Sequence, residues 1–360
     1  MAGLYVHIPF CKKRCLYCDF FSTTLLARKN EYIEALLKEI ESRKNEAGEP
    51  IRTIYIGGGT PSTLDADDIR RILHTIGIND AQEVTMELNP GDATPAYLQA
   101  IQEAGINRLS IGIQSFQDNL LQLIGRRHSA RQAVEAVHLA QEAGLDNISI
   151  DLMYALPTQT MEQWQADIET ALSLPIRHIS SYGLMYEEGT ALTRQCEEGT
   201  ITAIDEDTEN AMYDYLCARL KEAGYVHYEV SNFAWPGYEA KHNSSYWDGT
   251  PYIGTGAGAH SYIGRVRSWN PNDLDAYING INSNTLVRES ETLSDKDLYN
   301  ERIMLGLRTN RGIISPTSVQ HRSIIGSLSE DGLLAEHNGR VVATQKGLHI
   351  LNRIIEALMI

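Results

Sequence analysis

Cys11, Cys15 and Cys18 fall within eight residues and are separated as Cys-x3-Cys-x2-Cys. Three thiolates at this spacing can wrap one face of an iron–sulfur cubane. A [4Fe–4S] cluster usually takes four cysteines, so three leave one iron open to an exogenous ligand. A structural zinc ion is the alternative, with His7 completing a Cys3His set. The spacing departs from the paired Cys-x2-Cys knuckles of zinc ribbons, and His7 lies within a predicted strand, where packing or hydrogen bonding is the simpler role. Cys196 and Cys217 stand alone and read as buried small hydrophobic residues. An odd total of five cysteines, three of them clustered, is a ligand set in a reducing compartment and not a disulfide framework.

Further polar residues recur where apolar runs end. Gly57-Gly58-Gly59-Thr60-Pro61 follows one such run, Glu87 and Gln114 close two more, and Asp151 lies in another. Without side chains the glycines let backbone approach a ligand closely. One polar residue at a strand end is ordinarily a cap; three on successive strands point at a shared mouth. Arg126 is a candidate counter-charge for a carboxylate, its plain alternative being a solvated surface charge. Lys12, Lys13 and Arg14 read as a solvated loop.

These residues need a scaffold, and the chain supplies a repeating one. Strands are predicted over Leu4–Ile8, Thr53–Ile56, Glu83–Leu88, Arg108–Ile113, Ile148–Tyr154 and His178–Leu184. Amphipathic helices are predicted between them over Glu31–Asn45, Ala66–Ile76, Pro95–Ala104, Ala130–Ala143 and Met161–Leu174. This alternation specifies α/β architecture with a parallel sheet, either a partial or full barrel or a doubly wound sheet. Gln102-Glu-Ala-Gly105 and Gln141-Glu-Ala-Gly144 each precede a strand, and Lys221-Glu-Ala-Gly224 is a looser third copy. Glycine just past a helix end closes a short αβ loop. The cysteine loop then sits at the C-terminal end of the first strand, where such folds build sites.

The character changes near residue 235, which bounds a first domain, 1–235. Residues 236–293 are rich in Gly, Asn, Tyr and Ser and read as a connecting region. Residues 294–360 read as helix Asp295–Leu307, helix Pro316–Ile325, a hairpin around Asn338-Gly339, and helix Gly347–Leu358, a winged-helix-like module. That module holds eight Lys/Arg against seven Asp/Glu, a weak footprint for DNA, so a structural or docking role is expected.

The 360 residues carry 47 Asp/Glu against 31 Lys/Arg, a formal charge of −16, which disfavours general binding to nucleic acid or anionic lipid. No run of 18 apolar residues spans a membrane, and no basic segment precedes a long apolar one at the start, so a cytoplasmic location is expected.

Tyr5-Val-His-Ile-Pro-Phe-Cys11-x3-Cys15-x-Tyr17-Cys18 resembles the radical SAM superfamily, in particular its HemN/HemW branch of oxygen-independent coproporphyrinogen III dehydrogenases and haem chaperones. The resemblance runs along essentially the whole chain. It implies a partial (β/α)6 barrel, a [4Fe–4S] cluster on Cys11, Cys15 and Cys18, and S-adenosylmethionine chelating the open iron. It further implies that Tyr5, Tyr17, Gly58, Gly59, Thr60, Glu87, Gln114, Arg126 and Asp151 contact S-adenosylmethionine. Two features separate the branch members. The dehydrogenase group typically has a fourth cysteine two residues after the third, where this chain has Phe20, and it has a longer N-terminal extension. His242-Asn243-x-x-Tyr246-Trp247 resembles a motif of the chaperone group, which makes His242, read as a loop residue among aromatics, a candidate haem iron ligand. The resemblance thus implies a protein that binds haem and hands it to an acceptor protein, the alternative being oxidative decarboxylation of coproporphyrinogen III propionates. A homodimer joined near the cluster loop is a further expectation.

Overall fold

A computed structural model describes residues 1–316 and 318–360. Six parallel strands follow one another in chain order: β1 (Ala2–Ile8), β2 (Ile51–Gly58), β3 (Glu83–Leu88), β4 (Arg108–Gln114), β5 (Ile148–Tyr154) and β6 (His178–Gly183). Helices Lys29–Arg43, Ala66–Ile76, Pro95–Ala104, Ala130–Glu142 and Met161–Ser173 connect them, within two residues of the sequence reading at each end. Their starts carry local signals. Ser129 with Gln132 and Thr160 with Gln163 form reciprocal capping boxes, satisfying amides that a helix start leaves unpaired.

Along each strand the side chains alternate. Leu4, Val6 and Ile8 of β1, Ile54 and Ile56 of β2, and Val84, Met86 and Leu88 of β3 are buried in the core under the helices. The intervening positions are polar or small: Tyr5 and His7, Thr53 and Tyr55, Thr85 and Glu87. Successive strand residues face opposite sides, so the other face of these strands is mainly polar. Polar-face residues from all six strands line a single cavity of about 380 Å³. In a flat sheet β1 and β6 would stand roughly 24 Å apart at the usual strand spacing. Six strands reaching one small cavity therefore requires the sheet to curl into a partial barrel, polar face inward.

The stretch 236–293 is more regular than its composition predicts. It forms helix Lys241–Asp248, then strands β9 (Tyr252–Thr255), β10 (His260–Ile263), β11 (Val266–Trp269) and β12 (Glu289–Thr292), with helix Leu274–Asn282 before the last. Strand β9 pairs parallel to β1, and β10 to β12 continue the sheet antiparallel beyond it. On the other edge, β8 (Asn232–Ala234) pairs antiparallel with β6, and β7 (Val226–Glu229) pairs antiparallel with β8, making one twelve-stranded sheet. Buried Glu39 ties this extension to the barrel. Its carboxylate accepts from Tyr277, Asn270 and the amide of Gly256, with Arg43 and Arg288 as counter-charges. No helix among the described residues is long and apolar enough to cross a membrane.

Residues beyond 293 have their own apolar cluster, around Ile303, Ile325, Val341 and Ile354. Helices Asp295–Gly306 and Val319–Glu330 are joined by β13 (Ile313–Ile314), which pairs with the hairpin β14 (Leu334–His337) and β15 (Arg340–Ala343). Asn338 and Gly339 have φ of 51° and 73°, the left-handed pair that a two-residue hairpin needs. The expected last helix is split into Gln345–Leu348 and Leu351–Leu358.

Candidate functional site

The cysteine loop leaves β1 and is held at its base by two backbone bonds, Cys11 N to Thr23 O at 2.8 Å and Thr23 N to Pro9 O at 2.7 Å. All three thiols are free, Cys11 buried and the others half-buried. Burial pushes the Cys18 thiol up to about 11 and raises that of Cys11. Binding a metal at these thiols would therefore release protons. Arg126 Nη1 donates to Cys15 Sγ at 3.4 Å, and Thr60 Oγ1 lies 3.4 Å from Cys11 Sγ. Lys12 is exposed, as expected of this loop, but it is not without a partner. It pairs at 2.7 Å with Asp92, whose side chain is 4% exposed and also accepts from Arg127 and Ser62. The β3 end thus anchors the cysteine loop.

Tyr5, Tyr17, Gly58, Gly59, Thr60, Glu87, Gln114, Arg126 and Asp151, the nine positions singled out in the sequence, all line the barrel cavity together with Cys18. Glu87 accepts from Tyr55 Oη at 3.0 Å and from the amide of Gly58 at 3.0 Å. Burial, reinforced by Asp151, pushes its pKa up to about 7. Asp151 accepts from Ser110 at 3.0 Å and is likewise raised by burial, an effect that Ser110, Ser180, Arg108 and Arg126 moderate. Arg126 is turned inward, donating to the carbonyl of Gly112, and its Nε has no partner among the described residues.

Two backbone features shape the mouth. Gly58 has φ of 119°, and a Cβ there would stand 2.6 Å from the His7 ring; a Cβ on Gly59 would meet the Pro9 carbonyl carbon at 2.8 Å. The glycines are thus needed for packing against β1 as well as for access. Gln114 has φ of 73° beside a register shift between β4 and β5, a bulge that re-aims its side chain. Buried Asp167 fixes the next residues, accepting from Ser115 Oγ at 2.6 Å and the Phe116 amide at 2.9 Å.

His7 and His242 are placed differently from the ligand readings. His7 Nε2 lies 3.0 Å from the Phe21 carbonyl and Nδ1 3.1 Å from Tyr5 Oη, so both ring nitrogens are engaged away from the thiols. His242 is not in a loop but on the helix Lys241–Asp248, whose first amides are received by the Glu83 carboxylate at 2.9 Å each. The sheet interior therefore caps this helix, which closes the barrel at the end opposite the cysteine loop. His242 is fully buried, with Nδ1 2.9 Å from Thr53 Oγ1 and Nε2 2.8 Å from Tyr246 Oη. Burial holds its pKa down to about 3, so the ring is neutral. Cys196 and Cys217 are half-buried rather than buried.

The family model described as the Radical SAM superfamily matches residues 5–171. The haem chaperone HemW of Lactococcus lactis subsp. lactis is 36% identical over 99% of this chain and 97% of its own length. That of Bacillus subtilis is 34% identical over 100% and 99%. The chain belongs to the HemW family of radical SAM proteins. The coproporphyrinogen III oxidase HemN of Escherichia coli shares the fold, with a TM-score of 0.83 and 24% identity, covering 99% of this chain and 90% of its own.

For a HemW-family chain the site fits the groups that the superfamily implies. Three thiols, none of them in a disulfide, share one anchored loop. That donor set suits a multi-iron cluster better than one zinc ion. Beside it lies a cavity of about 380 Å³, within the range of small-ligand sites. Its polar groups include an unpartnered guanidinium nitrogen and two carboxyl groups. Sequence reasoning missed Tyr55, Arg108, Ser110, Ser180, Tyr182 and Asn243, which also line this cavity. The first five occupy inward positions of β2, β4 and β6, a signal present in the strand alternation.

Proposed function

We propose that this HemW-family chain is a haem chaperone, binding haem and transferring it to an acceptor protein, on a barrel that holds a [4Fe–4S] cluster and S-adenosylmethionine. Similarity to proteins named haem chaperones, at 36% identity along 99% of the chain, carries the cargo part of this reading. Phe20, 67% exposed where a fourth cysteine would be expected for porphyrinogen decarboxylation, supports the same choice. Cys11, Cys15 and Cys18 would hold the cluster, and the nine cavity residues would hold S-adenosylmethionine. The cluster offers an open iron to the amino acid end of that ligand. Within the cavity Glu87 and Asp151 supply negative charge and Arg126 positive charge, matching a zwitterionic partner. Gly58 and Gly59 leave room beside the backbone.

His242 is the proposed haem iron ligand under one condition set by its geometry. Its Nε2 becomes available only when the Tyr246 hydroxyl moves away, so ligation requires the helix Lys241–Asp248 to rearrange. Its neutral ring is the form that metals bind. A homodimer formed near the cluster loop belongs to the same proposal, with docking as the role of residues 294–360.

A haem titration beside a coproporphyrinogen III turnover assay, on one anaerobically reconstituted preparation, tests the reading. Stoichiometric haem binding, transfer to an apo acceptor and no turnover are expected. Turnover without haem binding would replace chaperone by enzyme.

A further inference from the structure

The barrel cavity is not the largest hollow in the molecule. A cleft of about 1250 Å³ opens at the other end of the strands, where Ala2, Arg52 and Gln82 at the starts of β1 to β3 face the C-terminal module. The helix Lys241–Asp248 separates the two. Asn243 lines the barrel cavity, Tyr246 and Trp247 line the cleft, and buried His242 lies between them.

In a protein with a formal charge of −16 this cleft is cationic. Arg52, Lys241, Arg267, Arg302, Arg311 and Arg340 line it, against Glu239, Asp248 and Glu301. Arg267 is paired with Glu301 at 2.7 Å and Arg311 with Asp248 at 3.6 Å. Among the described residues, Arg302 and Arg340 have no carboxylate partner; Arg340 donates only to the carbonyls of Arg311 and Gly312. One wall is aromatic. Tyr246 meets Tyr252 edge-on with centroids 4.7 Å apart, Tyr252 lies 6.3 Å from Tyr262, and Ile314, 75% exposed, forms an apolar lip.

We infer that this cleft is the seat of the haem cargo, the macrocycle lying on the Tyr246–Tyr252 wall with its two propionates on Arg302 and Arg340. This rests on the haem-chaperone reading. A planar aromatic dianion needs a stacking surface and two fixed cations, and guanidinium groups match carboxylates in bidentate geometry. The barrel cavity also carries aromatic rings and two arginines, but it has about a third of this volume and is already committed to the cluster's ligand. Both arginines come from the C-terminal module, which gives that module a part in holding the cargo and explains why its modest net charge need not face DNA. Tyr246, the residue that must move to free His242, is on the cleft wall, so cargo in the cleft sits where it can displace that hydroxyl.

The test uses the full chain, titrated with haemin and with haemin dimethyl ester, whose propionates carry no charge. For Arg302→Glu with Arg340→Gln, haemin affinity should fall at least about tenfold while the ester's is unchanged, since only the charge-assisted contacts are removed. Ser244→Trp, which fills the cleft from its helical wall, should weaken both ligands alike with the thermal midpoint retained. Wild-type haemin binding that survives all three substitutions would overturn the location and leave the chaperone reading standing. A wild-type chain that binds neither ligand would overturn both.

Discussion

Replacing Glu87 by Gln isolates the energetic cost of the barrel's buried carboxyl. Glu87 is pushed from an ordinary 4.5 up to about 7, by burial first and by Asp151 second. At about 1.4 kcal/mol per pH unit, that shift amounts to about 3 kcal/mol. The sign follows from proton counts. Below about pH 4.5 the group is protonated in both folded and unfolded chains and contributes nothing to pH dependence. Between 4.5 and 7 the unfolded chain has released the proton while the folded chain keeps it, so stability falls as pH rises. Above 7 the full penalty persists. Gln does not titrate, and its carbonyl can accept from the Gly58 amide while its NH2 donates to Tyr55 Oη, preserving both contacts. In the ligand-free protein, E87Q should gain on wild type by about 3 kcal/mol in all as pH rises from below 4.5 to 7, about 2 kcal/mol of it between pH 5 and pH 7, and then hold that gain. Glu229, also buried and raised to about 7, titrates in both proteins and cancels in the difference. Urea unfolding midpoints at pH 5, 6, 7 and 8 measure the effect. Parallel curves across that range would refute the claim that Glu87 is a costly buried charge.

Asp92→Asn should leave Lys12 and Arg127 without their shared carboxylate, costing about 1–3 kcal/mol and loosening the cysteine loop. Faster loss of the cluster's visible absorption after anaerobic reconstitution is the readout, and wild-type persistence would count against Asp92 as anchor. Removing Cys11, Cys15 and Cys18 together by Ala should abolish that absorption yet leave haemin affinity within about twofold, because the cleft lies at the opposite barrel end; a large loss would mean the two ends are coupled. His242→Ala should destabilise by about 2–4 kcal/mol, from the lost ring and its bonds to Thr53 and Tyr246. If His242 also ligates iron, the ferric haem spectrum should change in the same variant, and an unchanged spectrum would reduce His242 to a structural strut.

The alternation of strands and helices was legible because it depends on local periodicity, and the barrel helices start and stop where caps and Ala-Gly endings place them. The site was legible for a related reason. Cys11 to Cys18 and Gly57 to Gly59 are contiguous motifs, while Glu87, Gln114 and Asp151 stand out as polar interruptions at or near the ends of apolar runs. Tyr55, Arg108 and Tyr182 escaped notice because each is a single residue of a strand, outside any contiguous motif. Only register shows that they share a face with Glu87 and Asp151, although the alternation in Thr53-Ile-Tyr55-Ile or Arg108-Leu-Ser110-Ile already contains it. The stretch 236–293 misled for the opposite reason. Its strands are four residues each, too short to show a period, and β9 is stabilised by pairing with β1, some 250 positions away in sequence.

His242 shows how far such reading goes. Sequence places a histidine among aromatics, and aromatics beside an imidazole suit either a haem or a packed interior. The choice turns on long-range partners: Thr53 on β2, Glu83 holding the helix start, and Tyr246 capping Nε2. These contacts make His242 part of the partition between two hollows, one facing the cysteine loop and one facing the C-terminal arginines. A partition can report from one side to the other only if it has a second arrangement. The Tyr246–His242 hydrogen bond is the contact whose breaking would define that arrangement, since it is the bond that separates the ring from the cleft. Tyr246→Phe removes it without emptying the aromatic wall. If His242 reaches the iron by displacing that hydroxyl, the variant should bind haemin as tightly as wild type or more so, with the same ferric spectrum. Weaker binding with a changed spectrum would instead make the Tyr246 oxygen itself the group that meets the iron.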